Sequence, residues 1–213
     1  MKPLVMIGGG RGFLPRNIIE AVEAQGRTLA GYLNVGDNPE PLLHAQPLLG
    51  DERLLDDPAF LAAHDVTVAV TGPHRRALCL KLLERNASLP VIVHPAATIS
   101  ATAAIGAGSV ISAGAVVQQD ACVGRFCILN TSCSIDHDNV VGDFVSISPG
   151  VHTAGNVTIE DDVFVGLGAL IVNRVTVGAG ATVGAGAVVL RDVAAAVTVV
   201  GNPARPLARG DAT

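Results

Sequence analysis

His137 stands between two acids in the run Ile135-Asp136-His137-Asp138. A carboxylate beside an imidazole holds it in one tautomer and makes it more basic, as a general base requires. A lone surface histidine is more often only a solvated side chain, so the chemistry turns on what the fold sets against it. Gly155 follows 18 residues later. If that spacing returns the chain to the same place, a residue without a side chain opens room beside the imidazole and exposes a backbone N–H. Such an N–H can stabilise the oxyanion of a tetrahedral intermediate. Taken alone, Gly155 reads equally as a turn glycine.

A second group is the loop Gly8-Gly9-Gly10-Arg11-Gly12. Its backbone N–H groups could face a pyrophosphate at the start of a helix. A dinucleotide fingerprint needs a glycine where this chain has Phe13, and an acid about 20 residues further on that is missing, so NAD is not expected. The cysteines (Cys79, Cys122, Cys127, Cys133) form no CxxC pair and no zinc-like spacing, which predicts small buried thiols in a reducing compartment. The formal net charge of −5 implies no general attraction to nucleic acid or anionic lipid. No apolar run approaches the ~18 residues of a membrane span, and the first residues lack a signal-peptide pattern; a soluble, cytoplasmic protein is the expectation.

The elements that must position these groups come in two grammars. With no Trp, one Tyr and five Phe, the core must be built from small branched units rather than aromatic plugs. From Ile99 onward, stepping by six gives Ile99, Ile105, Ile111, Val117, Val123, Leu129, Ile135, Val141 and Ile147. Past Thr153 the series continues through Ile159, Val165, Ile171, Val177, Val183 and Val189. That is 15 aliphatic residues in 16 slots. Val, Ile and Leu make up 28 of the 91 residues in this span, so chance would fill about five. A mostly small residue sits two places before many slots (Ala115, Ala121, Cys127, Cys133), which suggests that small residues and glycines mark the bends. A six-residue unit of this kind forms one flat face of a triangular coil, with the aliphatic side chain inward and residues 18 apart stacked at roughly 4.8 Å. His137 then lies at an exposed bend, with Gly155 one coil above it.

Residues 1–95 read differently. Strands over 3–7, 28–33 and 66–71, helices over 15–25 and 73–85 and a short strand over 91–93 predict a small parallel α/β sheet of Rossmann-like type. The change of grammar sets two domains, 1–95 (α/β) and 96–213 (all-β parallel β-helix with a C-terminal tail).

The runs Asn130-Thr131, His137-Asp138, Val141-Gly142-Asp143-Phe144, Ser148-Pro149-Gly150, Ala154-Gly155-Asn156 and Val200-Gly201-Asn202-Pro203-Ala204-Arg205 carry a resemblance. The chain resembles the bacterial hexapeptide-repeat sugar acetyltransferases of the sialic-acid O-acetyltransferase type, which include N-acetyltransferases of UDP-bacillosamine precursors and of GDP-perosamine. The resemblance covers nearly the whole chain. It implies a left-handed winding, a homotrimer, acetyl-coenzyme A bound between adjacent subunits, no metal, and an acceptor that is a GDP- or UDP-linked 4-amino-4,6-dideoxy sugar. It also implies roles: His137 as general base and Asp138 as the residue that raises its basicity. Gly155, with Asn173 one coil further on and Ser146, would contact acetyl-coenzyme A. Asn130, Gly10, Arg11, Gly12, Asn34 and Gly72 would line the acceptor and nucleotide-sugar site. Ser146 stands where some relatives have a second histidine, and Asn34-Val35 where some have paired acids. Three other readings stay open: O-acetyl transfer, a non-catalytic sugar-nucleotide module, and a β-helix zinc lyase. The last needs three converging histidines, whereas His137 and His152 are 15 apart rather than 18 and every other histidine precedes the repeat.

Overall fold

The computed structural model describes residues 2–10, 12–36 and 46–207. The chain divides into two compact units, Met1–His94 and Pro95–Thr213.

In the first unit four parallel strands, β1 (Leu4–Ile7), β2 (Leu29–Asn34), β3 (Leu48–Asp51) and β4 (Asp65–Val68), lie in the order β3-β2-β1-β4. The unbroken apolar run Leu4-Val5-Met6-Ile7 makes β1 a central strand, buried throughout, as parallel sheets covered on both faces require. Helix α1 (Phe13–Ala24) buries Leu14, Ile18 and Val22, one residue per turn of the same stripe. Helix α2 (Pro58–Ala63) starts on Asp57, whose side chain accepts the Ala59 N–H at 2.8 Å. Helix α3 (Pro73–Glu84) buries Leu78, Cys79 and Leu82. The alternation of strand and helix is as expected, but β3, the 3₁₀ turn Glu52–Asp56 and α2 are additions. β3 is an edge strand with Leu48 and Leu49 exposed, and α2 has only 6 residues, so neither shows a buried period. The expected strand over 66–71 stops at Val68, and residues 69–71 turn away to line a pocket.

In the second unit two-residue strands recur every six residues, from Thr98–Ile99 to Val188–Val189. Each pairs in parallel with the strand 18 positions away, as Val123 does with Ile105 and Val141. Three flat faces result. The first carries Cys122–Val123, Val140–Val141 and Thr158–Ile159, the second Ile128–Leu129, Ser146–Ile147 and Phe164–Val165. The third carries Ser134–Ile135, His152–Thr153 and Leu170–Ile171. The second residue of each pair points inward, so Ile135, Ile147, Ile159, Val165 and Ile171 build one buried column, each contributing about 1.5–3 kcal/mol of hydrophobic stabilisation.

The bends meet the expectation for glycine and depart from it for the other small residues. The small residues Ala115, Ala121, Cys127, Cys133, Ala169, Ala181 and Ala187 are buried inside the prism rather than forming its corners. The chain turns at a left-handed residue three places after all but the first and last slots. Six of these are glycines (Gly108, Gly114, Gly150, Gly168, Gly180 and Gly186), and the rest include Asp120, Ser132, Asp138, Asn156 and Arg174. Of the four thiols, Cys79, Cys127 and Cys133 are buried, and burial pushes the Cys133 thiol up to about 12. Cys122 is exposed, because it is the outward member of its pair.

Candidate active site

Residues 136–139 form the corner that joins the third face to the first. Asp138 takes the left-handed conformation there (φ 57°), and its carboxylate reaches the imidazole of its own neighbour. His137 Nδ1 and Asp138 Oδ2 are 2.7 Å apart, and the His137 N–H donates to Asp136 Oδ1 at 2.7 Å. The hydrogen bond to Asp138 raises the imidazole pKa above its ordinary value. Partial desolvation opposes the shift, and the charges of Asp136 and Asp138 add to it. With Nδ1 held, Nε2 is the nitrogen left to take a proton.

Gly155 lies against that nitrogen. The Asn156 N–H donates to the His137 carbonyl at 3.0 Å, locking the two coils in register. A Cβ built on Gly155 would overlap His137 Cε1 and Nε2, so the ring occupies the space a side chain would take. Gly155 is not among the left-handed residues. Gly155 is a turn residue, but space, not backbone conformation, is what requires glycine here. Among the described residues no acceptor takes the Gly155 N–H. The corner thus brings together a carboxylate-held imidazole and a glycine whose N–H has no acceptor among the described residues, two groups of the kind acyl transfer can use.

The other expected residues fall at different distances from this corner. Asn173 is exposed one coil above Gly155 in the same column, where the Arg174 N–H donates to the Gly155 carbonyl at 3.3 Å. Asn130 sits at the opposite edge of the third face and accepts the Thr131 N–H through Oδ1 at 2.8 Å. Between the two corners, Ser134 Oγ meets His152 Nδ1 at 2.7 Å, an outward pair that the sequence pattern did not single out. Ser146 belongs to the second face, in register with Ile128 and Phe164. That face lies across the prism from the 136–139 corner, so one chain does not bring Ser146 to His137. With the Nδ1 atoms of His137 and His152 turned to Asp138 and Ser134, no three His, Cys, Asp or Glu side chains converge on a metal position among the described residues.

The first unit holds a pocket of about 330 Å³, lined by Gly8, Gly9, Gly10, Gly12, Asn34 and His74 among others. Gly10 is left-handed (φ 132°), and Gly8 is both left-handed (φ 93°) and so close to Val70 that a Cβ would lie 2.5 Å from Cγ2. Gly12 is the N-cap of α1 at φ −62°, with no side-chain cap. The N–H groups of the first turn of α1 are therefore available at the pocket wall. Asn34, at the end of β2, donates from Nδ2 to the Gly36 carbonyl at 2.6 Å. Gly72 (φ 81°) caps α3 between the wall residues Thr71 and His74. Arg11 lies outside the described residues. His74 and Thr71 escaped the sequence reading because nothing repeats in this half to mark them.

Three comparisons with known proteins bear on this arrangement. A family model described as the hexapeptide repeat of succinyl-transferase matches residues 156–191. A search of curated protein sequences gives no match. Among solved structures, the acetyltransferase domain of PglB from Neisseria gonorrhoeae in complex with acetyl coenzyme A is 38% identical, with a TM-score of 0.86 over 97% of this chain and 99% of that one. PerB from Caulobacter crescentus in complex with CoA and GDP-perosamine is 31% identical, with a TM-score of 0.88 over 98% of both chains. WeeI from Acinetobacter baumannii is 28% identical, with a TM-score of 0.83 over 97% of this chain and 100% of that one. Likeness of this degree runs through both units and makes the prism a left-handed parallel β-helix. Both units and the six-residue coil are thus shared with these relatives: the chain belongs to the bacterial hexapeptide-repeat sugar acetyltransferases.

Proposed function

We propose that this protein transfers an acetyl group from acetyl-coenzyme A to the amine of a GDP- or UDP-linked 4-amino-4,6-dideoxy sugar. The observation that carries the reading is the 136–139 corner, where a carboxylate-held imidazole occupies the side-chain space of Gly155 one coil above. PglB's acetyltransferase domain binds acetyl coenzyme A and PerB binds CoA with GDP-perosamine, which supports both halves of the reaction.

The amine, as its free base, attacks the thioester carbonyl carbon. His137 Nε2 takes the amine proton, Asp138 stabilises the imidazolium, and the Gly155 N–H holds the oxyanion. Collapse of the tetrahedral intermediate breaks the C–S bond, and the proton passes from His137 to the leaving thiolate. No covalent enzyme intermediate forms. The first unit is a Rossmann-like module that holds the nucleotide in the pocket of Gly8, Gly10, Gly12 and Asn34, with the diphosphate at the start of α1.

The working form is a homotrimer. Ser146 and His137 lie on opposite sides of one prism, so they can serve the same acetyl-coenzyme A only where two subunits meet. Exposed Val140, Phe164, Leu167 and Leu170 supply apolar surface for that contact. Light scattering should give three times the chain mass. Thiol release from acetyl-coenzyme A, followed across UDP- and GDP-linked 4-amino-4,6-dideoxyhexoses, tests the reaction. Turnover with one of them, and an amide in the product by mass spectrometry, is the expected result. Release driven only by sugars that lack an amine would replace N-acetylation with O-acetylation.

A further inference from the structure

The inward column has a single polar slot, Thr153, and its side chain is buried at 5% exposure. The positions two before each slot contain a single amide, Asn139, at 1% exposure. These two exceptions touch one another: Asn139 Nδ2 donates to Thr153 Oγ1 at 2.5 Å. Thr153 Oγ1 also accepts the Asp136 N–H at 3.1 Å and donates to the Ser134 carbonyl at 3.3 Å. Asn139 Oδ1 accepts the Val157 N–H at 2.6 Å. The pair therefore grips the backbone immediately before His137, immediately after Asp138, and two residues past Gly155.

The β-ladder is irregular at the same place. On the third face, Ser134–Ile135 pairs with Val116–Val117 at both residues, and His152–Thr153 pairs with Leu170–Ile171 at both. Between Ser134–Ile135 and His152–Thr153, only Ser134 and His152 pair. In the coil below, the Gln118 N–H donates to the Ile135 carbonyl; the Asp136 N–H, its equivalent, takes the Thr153 hydroxyl instead. A hydrogen bond between two buried side chains can be exchanged for apolar contact at little cost. This pair, however, also holds the Asp136 and Val157 N–H groups, which a valine pair would leave without their acceptors. What this pair does and a valine pair cannot do is pull the His137 corner off the regular ladder.

We propose that Asn139 and Thr153 are positioning residues that set the distance and direction between the His137 imidazole and the Gly155 N–H. The inference rests on the reading of His137 and Gly155 as the transfer site. Neither side chain reaches the surface, so neither touches substrate. A displacement of about 1 Å in such a corner costs on the order of 100-fold in rate.

Thr153→Val/Asn139→Val gives both positions a side chain already used at equivalent slots. It should fold with a melting temperature lowered by the loss of the caps on the Asp136 and Val157 N–H groups, keep both KM values within twofold, and lose at least tenfold in kcat. Thr153→Ser, which keeps the hydroxyl, should retain wild-type kcat. Ser109→Ala is the control. Ser109 likewise caps a coil from inside, accepting the Cys127 N–H at 2.9 Å, but far from the corner, so its loss should lower stability and spare kcat. NMR titration of His137 supplies a readout independent of activity. The charges bearing on the ring are Asp138 and Asp136. In the stacked corners Asp120 lies one coil below Asp138 and Arg174 one coil above Asn156, with uncharged Gln119 and Gly155 in the adjoining coils. In the double variant the apparent pKa should fall toward that of an ordinary histidine as the Nδ1–Asp138 geometry loosens. A folded double variant with wild-type kcat and an unmoved titration would overturn the proposal, as would an equal kcat loss in Ser109→Ala. Should the double variant not fold, Thr153→Val alone is read by the same measurements, and unchanged kcat overturns it. If the parent itself transfers acetyl to no amine, the function is wrong, while the His137 titration still decides whether the pair positions the ring.

Discussion

The prism and the amino-terminal unit both build a site around glycine, and they need glycine for different reasons. In the prism, Gly155 has an ordinary backbone and is glycine because the His137 ring fills its side-chain space. In the amino-terminal loop, Gly10 at φ 132° is glycine because other residues rarely adopt its backbone. Added atoms should therefore damage chemistry in the prism and binding in the loop. That division separates kcat from the acceptor KM and can be broken by measurement.

The largest effect is expected from Gly155→Val. Its side chain would displace the imidazole and crowd the neighbouring N–H together, so kcat should fall by about 10³ or more. The inward column is untouched, and circular dichroism and chain association should match the parent. Normal turnover would remove the thioester site from this corner. His137→Asn leaves the donor in place and should cost about 10² in kcat, with coenzyme A affinity retained. Asp138→Asn should cost less, about tenfold, and its signature lies in pH dependence. The base works in its neutral form and its pKa is raised, chiefly by Asp138, so the parent's rate climbs with pH until that raised value is passed. Removing the carboxylate lowers the pKa and moves this acid limb to lower pH. An unmoved profile would break the pairing of the two side chains.

The same contrast governs what the sequence could say. In the prism a period of six states in advance what each position should hold, so departures stand out. Thr153 is visible as the one gap in the aliphatic series, and His137 and Gly155 are one coil apart by counting. What counting could not show was that Asn139 and Thr153 meet, because contact depends on which way each corner turns. The corners turn at left-handed residues that are mostly Gly, Asp, Asn or Ser but include Phe126, Phe144 and Arg174, so composition marks many corners without saying what each side chain will meet. The amino-terminal unit has no internal repeat. Its glycine loop was legible, but β3 and α2 were too short for a period, and His74 entered the pocket wall only once α3 was placed against β4. Ser146 was legible as a position and not as a location, since family likeness said what it should touch and the register put it across the prism from His137.

The finest test of the comparison is inside the loop itself, between two glycines two residues apart. Gly10 has a positive φ, and Gly10→Val would strain the backbone and fill space at the pocket wall. Gly12 sits at φ −62° at the start of α1, and among the described residues a Cβ there would meet only Pro15 Cδ, at the ordinary distance of 3.7 Å. Gly10→Val should therefore raise the acceptor KM about tenfold or more, with kcat preserved at saturation, because what is lost is binding common to ground and transition states. Gly12→Ala should raise it by no more than about threefold, since an N-cap exchange of glycine for alanine costs of order 1 kcal/mol of helix stability at most and leaves the pocket open. In both variants the acetyl-coenzyme A KM should stay at the parent value. A rise confined to the acetyl-coenzyme A KM would mean the loop holds the other substrate. Equal acceptor KM values for the two variants would mean that α1, rather than the conformation of Gly10, shapes the pocket.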